Sequence, residues 1–376
     1  NHSTKIIAVI SILLFWLMTW VCIKGVSWIS KVTSLAGGAR LFMGVTFVVL
    51  AFVVVFGFGN EPAQEFTTTS IMPTFNWTFF MTMAWILQAV GGGESIGVYI
   101  KDVKGGNKTF VRTMIGATIA VGIMYILGAV AVGLVVPTDV LKGNFSNGIF
   151  DIFKILGTYF HIPAAMMVRL VGIILFVGSL GSLALWTAAP VKVFFSEIPD
   201  GVFGKWLVKT NEEGNPTNAL LVQGIIVTIL VAIPALGIGN MDSFLETLIN
   251  MTASTSLVPV LFLLIAYIGL RWKKETMPRS FRFGNRTFGL IAGIFLLAIF
   301  IFVFFMSTVP DPKLIMEEIN GTLPKGTASP LGMLAYNIIG LIVFMGFAWI
   351  CWKRYETKEK NEVGKGEMDY EDLGKL

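Results

Sequence analysis

Of 376 residues only two are cysteine, Cys22 and Cys351, and only two are histidine, His2 and His161. Two cysteines at opposite ends of the chain imply no disulfide framework. Neither histidine has a partner at metal-ligand spacing, so no metal site and no cofactor is expected. The same scarcity removes the usual nucleophile and base pairs, which counts against a membrane-embedded enzyme. Charge is scarce as well: 14% of residues are charged against 55% apolar, with mean hydropathy +0.77, outside the range of soluble globular chains. Strand-like alternation is also missing. The apolar stretches run about 20 residues between charges, which suits spanning helices rather than barrel strands of about 9–11 residues. The expected fold class is an all-α polytopic membrane protein.

Hydropathy places nine candidate spans at about 6–24, 33–57, 78–100, 112–136, 165–190, 218–237, 245–271, 287–308 and 330–352. Lys and Arg gather in alternate loops: Lys24 and Lys31; Lys101, Lys104, Lys108 and Arg112; Lys192, Lys205 and Lys209; Arg271 through Arg286; and Lys353 onward. Because an excess of Lys and Arg marks cytoplasmic loops, these loops and the C-terminus are expected in the cytoplasm. The net charge of +5 is then a topology signal and no nucleic-acid partner is implied. The expected division is a membrane domain over 1–352 and a disordered cytoplasmic tail over 353–376, where both charge signs mix with few apolar residues. Residues 196–220 read as an amphipathic cytoplasmic loop with Phe203, Trp206 and Leu207 on one side.

One span is defective as a helix. FNWTFFMTMAWILQAVGGGESIGVYIKDVK, residues 75–104, runs into Gly91, Gly92 and Gly93 and then Glu94. Each glycine costs a helix interior about 0.8–1 kcal/mol relative to alanine, and a carboxylate at bilayer depth costs about 2.5–3.5 kcal/mol on insertion scales. Both penalties fall at one place. Irregular backbone at that depth persists only where it is buried in protein or lines a wet cavity, and interrupted helices are how secondary transporters build midplane sites. The freed amides and the new helix start at Ser95 suit a carboxylate, while the freed carbonyls of the preceding half suit an ammonium. Together they match an amino acid. Gly91, Gly92, Gly93, Glu94 and Ser95 are therefore the expected substrate-binding residues, with Glu94 read either as a protonatable, gating carboxylate or as a tie to a neighbouring helix.

Arg40 lies about nine residues into its span, where a guanidinium snorkels or pairs with another helix. Gly37 and Gly38 beside it admit a close neighbour. A fixed cation at that depth does the work of a bound sodium ion, so a coupling role stands beside the structural one. Trp186 follows the small residues Gly178, Ser179, Gly181 and Ser182, which permit close packing; it reads as a gate over a wet cavity or as part of an interfacial belt. Asn250, Thr252, Ser254, Thr255 and Ser256, with Glu246 nearer the end of the span, form a polar patch of the kind that often bonds neighbouring helices.

These stretches resemble amino acid permeases of the amino acid, polyamine and organocation superfamily. GGGESIGVYIKDVKGG resembles the family's broken sixth helix, GSLGSLALWTAAPVK its eighth, KTNEEGNPTNAL the loop before its ninth, and GVSWISKVTSLAGGARL its fourth-to-fifth connection. The nearest subgroup looks like the glutamate and GABA antiporters. The resemblance covers roughly the whole chain and begins at the family's fourth helix, so it implies an inverted-repeat fold lacking its first three helices. It also implies alternating access in a bacterial inner membrane, with an amino acid moved by sodium-independent exchange or proton coupling. By position it puts Gly91, Gly92 and Gly93 on the substrate's backbone groups, Trp186 near the gate, and Arg40 where sodium-coupled relatives hold an ion. Members usually carry lysine at that place, and often Asn-Pro where this chain has Gly105 and Gly106. A non-transporting amino acid receptor or accessory membrane protein is the other reading, and the oligomeric state is left open.

Overall fold

The computed structural model describes residues 2–141, 148–196, 202–235, 241–279, 281–324 and 329–373, with side chains described over these except at 2–4, 71, 196, 233–235, 241–251 and 358–373. The described elements are helices: α1 His2–Ile23, α2 Val26–Phe52, α3 Thr68–Ile71, α4 Trp77–Val90, α5 Gly93–Ile96, α6 Gly106–Val135, α7 Thr138–Leu141, α8 Gly148–Tyr159, α9 Ala164–Ser196, α10 Thr217–Ala235, α11 Met241–Lys273, α12 Arg286–Thr308, α13 Pro312–Ile319 and α14 Pro330–Leu373. α2 ends in a π-helical turn, Val53–Gly57, and α5 continues as a 3₁₀ turn, Gly97–Asp102. Among the described residues seven helices are long and apolar enough to cross a membrane. The other two expected spans take different forms. The described apolar part of α10 is the shorter Thr217–Ala232, and the span over 78–100 is split into α4 and α5.

Helix starts are set by side chains that satisfy the first free amides. Asn76 accepts from the Phe79 amide at 2.8 Å, Asn285 from the Phe288 amide at 2.8 Å, and Asp311 from the Lys313 amide at 2.9 Å with Pro312 next in line. Between α1 and α2 the chain turns at Gly25, whose φ of 106° lies in the left-handed region. Only glycine adopts that conformation readily.

Three clusters hold the helices together. At one end of the membrane domain Phe47, Ala51 and Val54 pack with Ala131, Val135, Leu156 and Val171, which joins α2 to α6, α8 and α9. At the other end Met18 and Cys22 of α1 meet Ile29 of α2, Ala184 and Ala188 of α9 and Leu220 of α10. The third cluster is separate: Ala84 of α4 sits against Ala253 and Leu257 of α11 and Val303 of α12. Many of these contacts involve small side chains. Helices in lipid associate by close packing and hydrogen bonds, because the surrounding chains are as apolar as they are. Large apolar residues accordingly face outward, as Ile342, Phe344 and Trp349 of α14 do.

The close approach expected at Gly37 and Gly38 is made instead by α9. A methyl added at either of those glycines would meet nothing within 4 Å, whereas one at Gly181 would collide with Ala36 of α2. In the polar patch, Ser254 donates to the Ser307 carbonyl at 3.2 Å and so ties α11 to α12, while the side chains of Glu246 and Asn250 lie outside the described residues. In the 196–220 loop, Phe203 packs on Phe195 at 4.9 Å and Leu207 lies against the second cluster, while Trp206 alone of the three is exposed. α14 continues past residue 353 to Leu373.

Candidate functional site

The broken span divides its packing between two parts of the molecule. α4 lies on α11 and α12, whereas α5 and the following 3₁₀ turn lie on α6 and α9. The break itself is built as the glycines require. The Gly91 amide donates to the Leu87 carbonyl at 2.8 Å and ends α4. Gly92 turns the chain with φ 99°, a conformation in which a Cβ is strained. Gly93 then starts α5, where a methyl would sit 2.6 Å from the Met114 Cε of α6.

Glu94 points back into the break. Its Oε2 accepts from the Gly92 amide at 3.0 Å, so the chain's own carboxylate occupies one of the donors freed by the glycines. The Ser95 amide is also in use, donating to the Gly92 carbonyl at 3.1 Å. On the α4 side, Tyr125 of α6 donates to the Ala89 carbonyl at 3.3 Å. The Gln88 and Val90 carbonyls stand at the C-terminal end of α4, where the helix ladder supplies no further donors. The arrangement offers acceptors to a cation and an amide, guarded by a carboxylate, to an anion.

α9 brings the remaining expected residues to the same place. Trp186 is 54% exposed and covers the break: a methyl on Gly92 would lie 3.7 Å from its Cζ2. One turn away on the same face of α9, Ser182 accepts from Arg40 Nη1 at 2.6 Å. The Arg40 stem crosses Gly178, where a methyl would come within 2.6 Å of Nε. Arg40 stands close to the middle of the continuous helix Val26–Gly57, and its side chain is exposed. The small residues of α9 therefore have two distinct uses. Gly181 lets α2 approach, and Gly178 with Ser182 accommodates the guanidinium.

A group at the other end of the 3₁₀ turn went unnoticed in the sequence. Lys192 of α9 donates to Asp102 at 3.0 Å and stands 4.6 Å above the Tyr99 ring. Tyr99 is buried, and its hydroxyl has no hydrogen-bond partner among the described residues. A tyrosine and an aspartate at the end of an otherwise apolar segment were the available signal, but a lysine 90 residues away is invisible to local reading. No group of three or more His, Cys, Asp or Glu placed to hold a metal ion occurs among the described residues.

Comparison with known proteins adds a family. A model of the family described as amino acid permease matches residues 1–344. The aspartate/glutamate permease AcaP of Lactococcus lactis subsp. cremoris (strain MG1363) is 28% identical over 296 residues, 77% of this chain and 60% of its own length. The glutamate/gamma-aminobutyrate antiporter of Lactococcus lactis subsp. lactis (strain IL1403) is 25% identical over 361 residues, 93% of this chain and 67% of its own length. The inner membrane transporter YjeM of Escherichia coli (strain K12) is 22% identical over 284 residues, 71% of this chain and 57% of its own length. The chain thus spans about three fifths to two thirds of the length of these relatives.

Proposed function

The chain belongs to the amino acid permease family, and on that premise we propose that the full-length protein moves an amino acid across a bacterial cytoplasmic membrane by alternating access. The observation that carries this reading is the convergence of a helix break, a carboxylate, an aromatic cover and a deep cation on one face of α9. The substrate is of the glutamate or GABA kind, as in the names of the lactococcal relatives, and transport is independent of sodium. Arg40, joined to Ser182, is the fixed cation that holds α2 to α9 in place of an ion. Trp186 has to leave Gly92 before a ligand reaches the backbone there, which makes it the gate.

Glu94 supplies the coupling. A substrate carboxylate and the Glu94 carboxylate compete for the Gly92 amide, and two like charges at one donor repel. Protonation of Glu94 removes its charge, weakens its hold on the amide and opens that donor to the substrate. Proton uptake and substrate binding then favour each other, the reciprocity any linked pair obeys. Gly91, Gly93 and Ser95 shape the backbone around that exchange.

Orientation follows the basic loops, with the C-terminus in the cytoplasm. The pairing of Lys24 with Trp20 and of Lys31 with Trp28, each at 5.2 Å, supports a membrane interface at that end of α1 and α2. The membrane domain ends near residue 352 and the residues from 353 form the tail.

The test is uptake by full-length protein in sodium-free proteoliposomes, using an amino acid panel with and without a pH gradient. Flux of acidic amino acids or GABA is expected. Binding without flux would favour a receptor, and neither would sink the proposal. Glu94→Gln is expected to flatten the pH dependence while leaving insertion intact; transport unchanged at every pH would return Glu94 to a purely structural tie.

A further inference from the structure

A guanidinium carries five N–H donors in a planar fork and keeps its charge at any accessible pH. Among the described residues Arg40 uses that fork once, on the neutral Ser182 hydroxyl at 2.6 Å. It stands near the middle of its span with an exposed side chain. Its stem lies across Gly178, so the head group is held at the level of Ser182. Ser182 and Trp186 are one turn apart on α9, about 6 Å along the axis, and Trp186 lies over Gly92. The open fork and the helix break therefore lie along one face of α9, their α9 neighbours Ser182 and Trp186 one turn apart.

We propose that the unused donors of Arg40 bind the side-chain carboxylate of an acidic amino acid whose α-ammonium and α-carboxylate lie at the break, which makes Arg40 a specificity-determining residue. The inference rests on the amino acid transport reading and deepens it. A carboxylate matches the fork with two parallel charged hydrogen bonds. A side-chain amide offers a single acceptor oxygen and turns N–H donors toward the remaining guanidinium donors. The site thus selects an acid over its amide.

Uptake into proteoliposomes by the full-length protein tests this with glutamate, aspartate, glutamine and asparagine, comparing wild type with Arg40→Lys and Arg40→Gln. Arg40→Gln is expected to raise KM for the two acids by about tenfold or more beyond any change for the amides, the scale of a lost charged hydrogen bond; a loss shared by acids and amides is the part owed to the bond with Ser182. Arg40→Lys is expected to fall between, because a point charge replaces the fork. Equal losses for acids and amides, or a wild type that prefers the amides, would overturn the proposal and leave amino acid transport standing. A wild type that moves no amino acid would overturn both. If Arg40→Gln does not insert, thermal stabilisation of detergent-purified wild type and Arg40→Lys by glutamate and glutamine decides. Stabilisation by glutamate alone, weakened in Arg40→Lys, supports the proposal, and equal effects of the two ligands overturn it.

Discussion

Arg271 and Arg40 both stand on membrane-spanning helices, and their surroundings are opposite. Arg271 is 3% exposed and fully engaged: Nη2 donates to the carbonyls of Phe283, Gly284 and Asn285 at 2.7, 3.1 and 3.1 Å, Nη1 to Glu275 at 3.3 Å, and Nε to the Tyr267 hydroxyl at 3.3 Å. Arg279 adds a bond to Glu275 at 2.9 Å, and Gly289 of α12 leaves room for the guanidinium. Nη2 closes the corner between α11 and α12, and the other donors are taken up within and just after α11. Among the described residues Arg40 has one neutral hydrogen-bond partner, and it is exposed. A buried charge with all its bonds made is a staple; on the reading proposed above, the spare donors of Arg40 serve a substrate.

The sharpest way to test this contrast is Arg271→Gln. It strips the carbonyls of Phe283, Gly284 and Asn285 of their common donor and leaves Glu275 without one of its two arginines. The largest loss of stability is expected here, seen as disappearance of the monodisperse peak on size-exclusion chromatography in detergent. A variant that melts like wild type would break the comparison. Next in size is Gly181→Ala. The added methyl would meet Ala36 and come within 3.2 Å of the Val32 carbonyl and 3.3 Å of the Thr33 Cα, so α2 and α9 have to separate. Overpacking of this kind costs about 1–3 kcal/mol, and a melting temperature lowered together with lost transport is expected.

Gly92→Ala sharpens the other side. Its methyl finds ordinary contact distance to Trp186, and the cost is conformational, about 1–2 kcal/mol for a residue forced into the left-handed region. Transport at equal membrane abundance is expected to fall well below wild type with little loss of melting temperature. Gly116→Ala, where nothing lies within 4 Å, is the control that should change neither.

Acid gives the smallest effect. The Arg279 hydrogen bond, followed by the charge of Arg271, holds the Glu275 carboxyl below its ordinary value. The stability it contributes is present above the ordinary carboxylate range and is lost as pH falls through the lowered folded value. Melting temperatures of wild type and Glu275→Gln are expected to differ at neutral pH and to converge in strong acid. Because Glu275 is 25% exposed, solvent screening keeps the difference small.

Much of this was legible before any coordinates. The helical class, the membrane setting and the break at Gly91 to Gly93 follow from hydropathy and glycine propensity, and Arg40 and Trp186 stood out as misfits in their spans. Less was legible about partners. Gly37 and Gly38 looked like the contact face of α2, yet Ala36 meets α9, because the rotation of a helix lined with small and apolar residues on several sides is weakly marked in its sequence. The Lys192, Asp102 and Tyr99 group and the Tyr125 bond to Ala89 join residues far apart in the chain, and no local pattern announces them.

The sequence by itself determined that this is a helical membrane protein and where one span must break. Those outcomes depend on transfer free energies and backbone propensities that act within a turn or a span. The bond from the Gly92 amide to Glu94 is local, across two residues of the break, whereas the tertiary structure alone decided that Trp186 lies over that break and that Arg40 shares a face of α9 with it one turn away. Both depend on the relative rotation and depth of helices, which is fixed by packing between them.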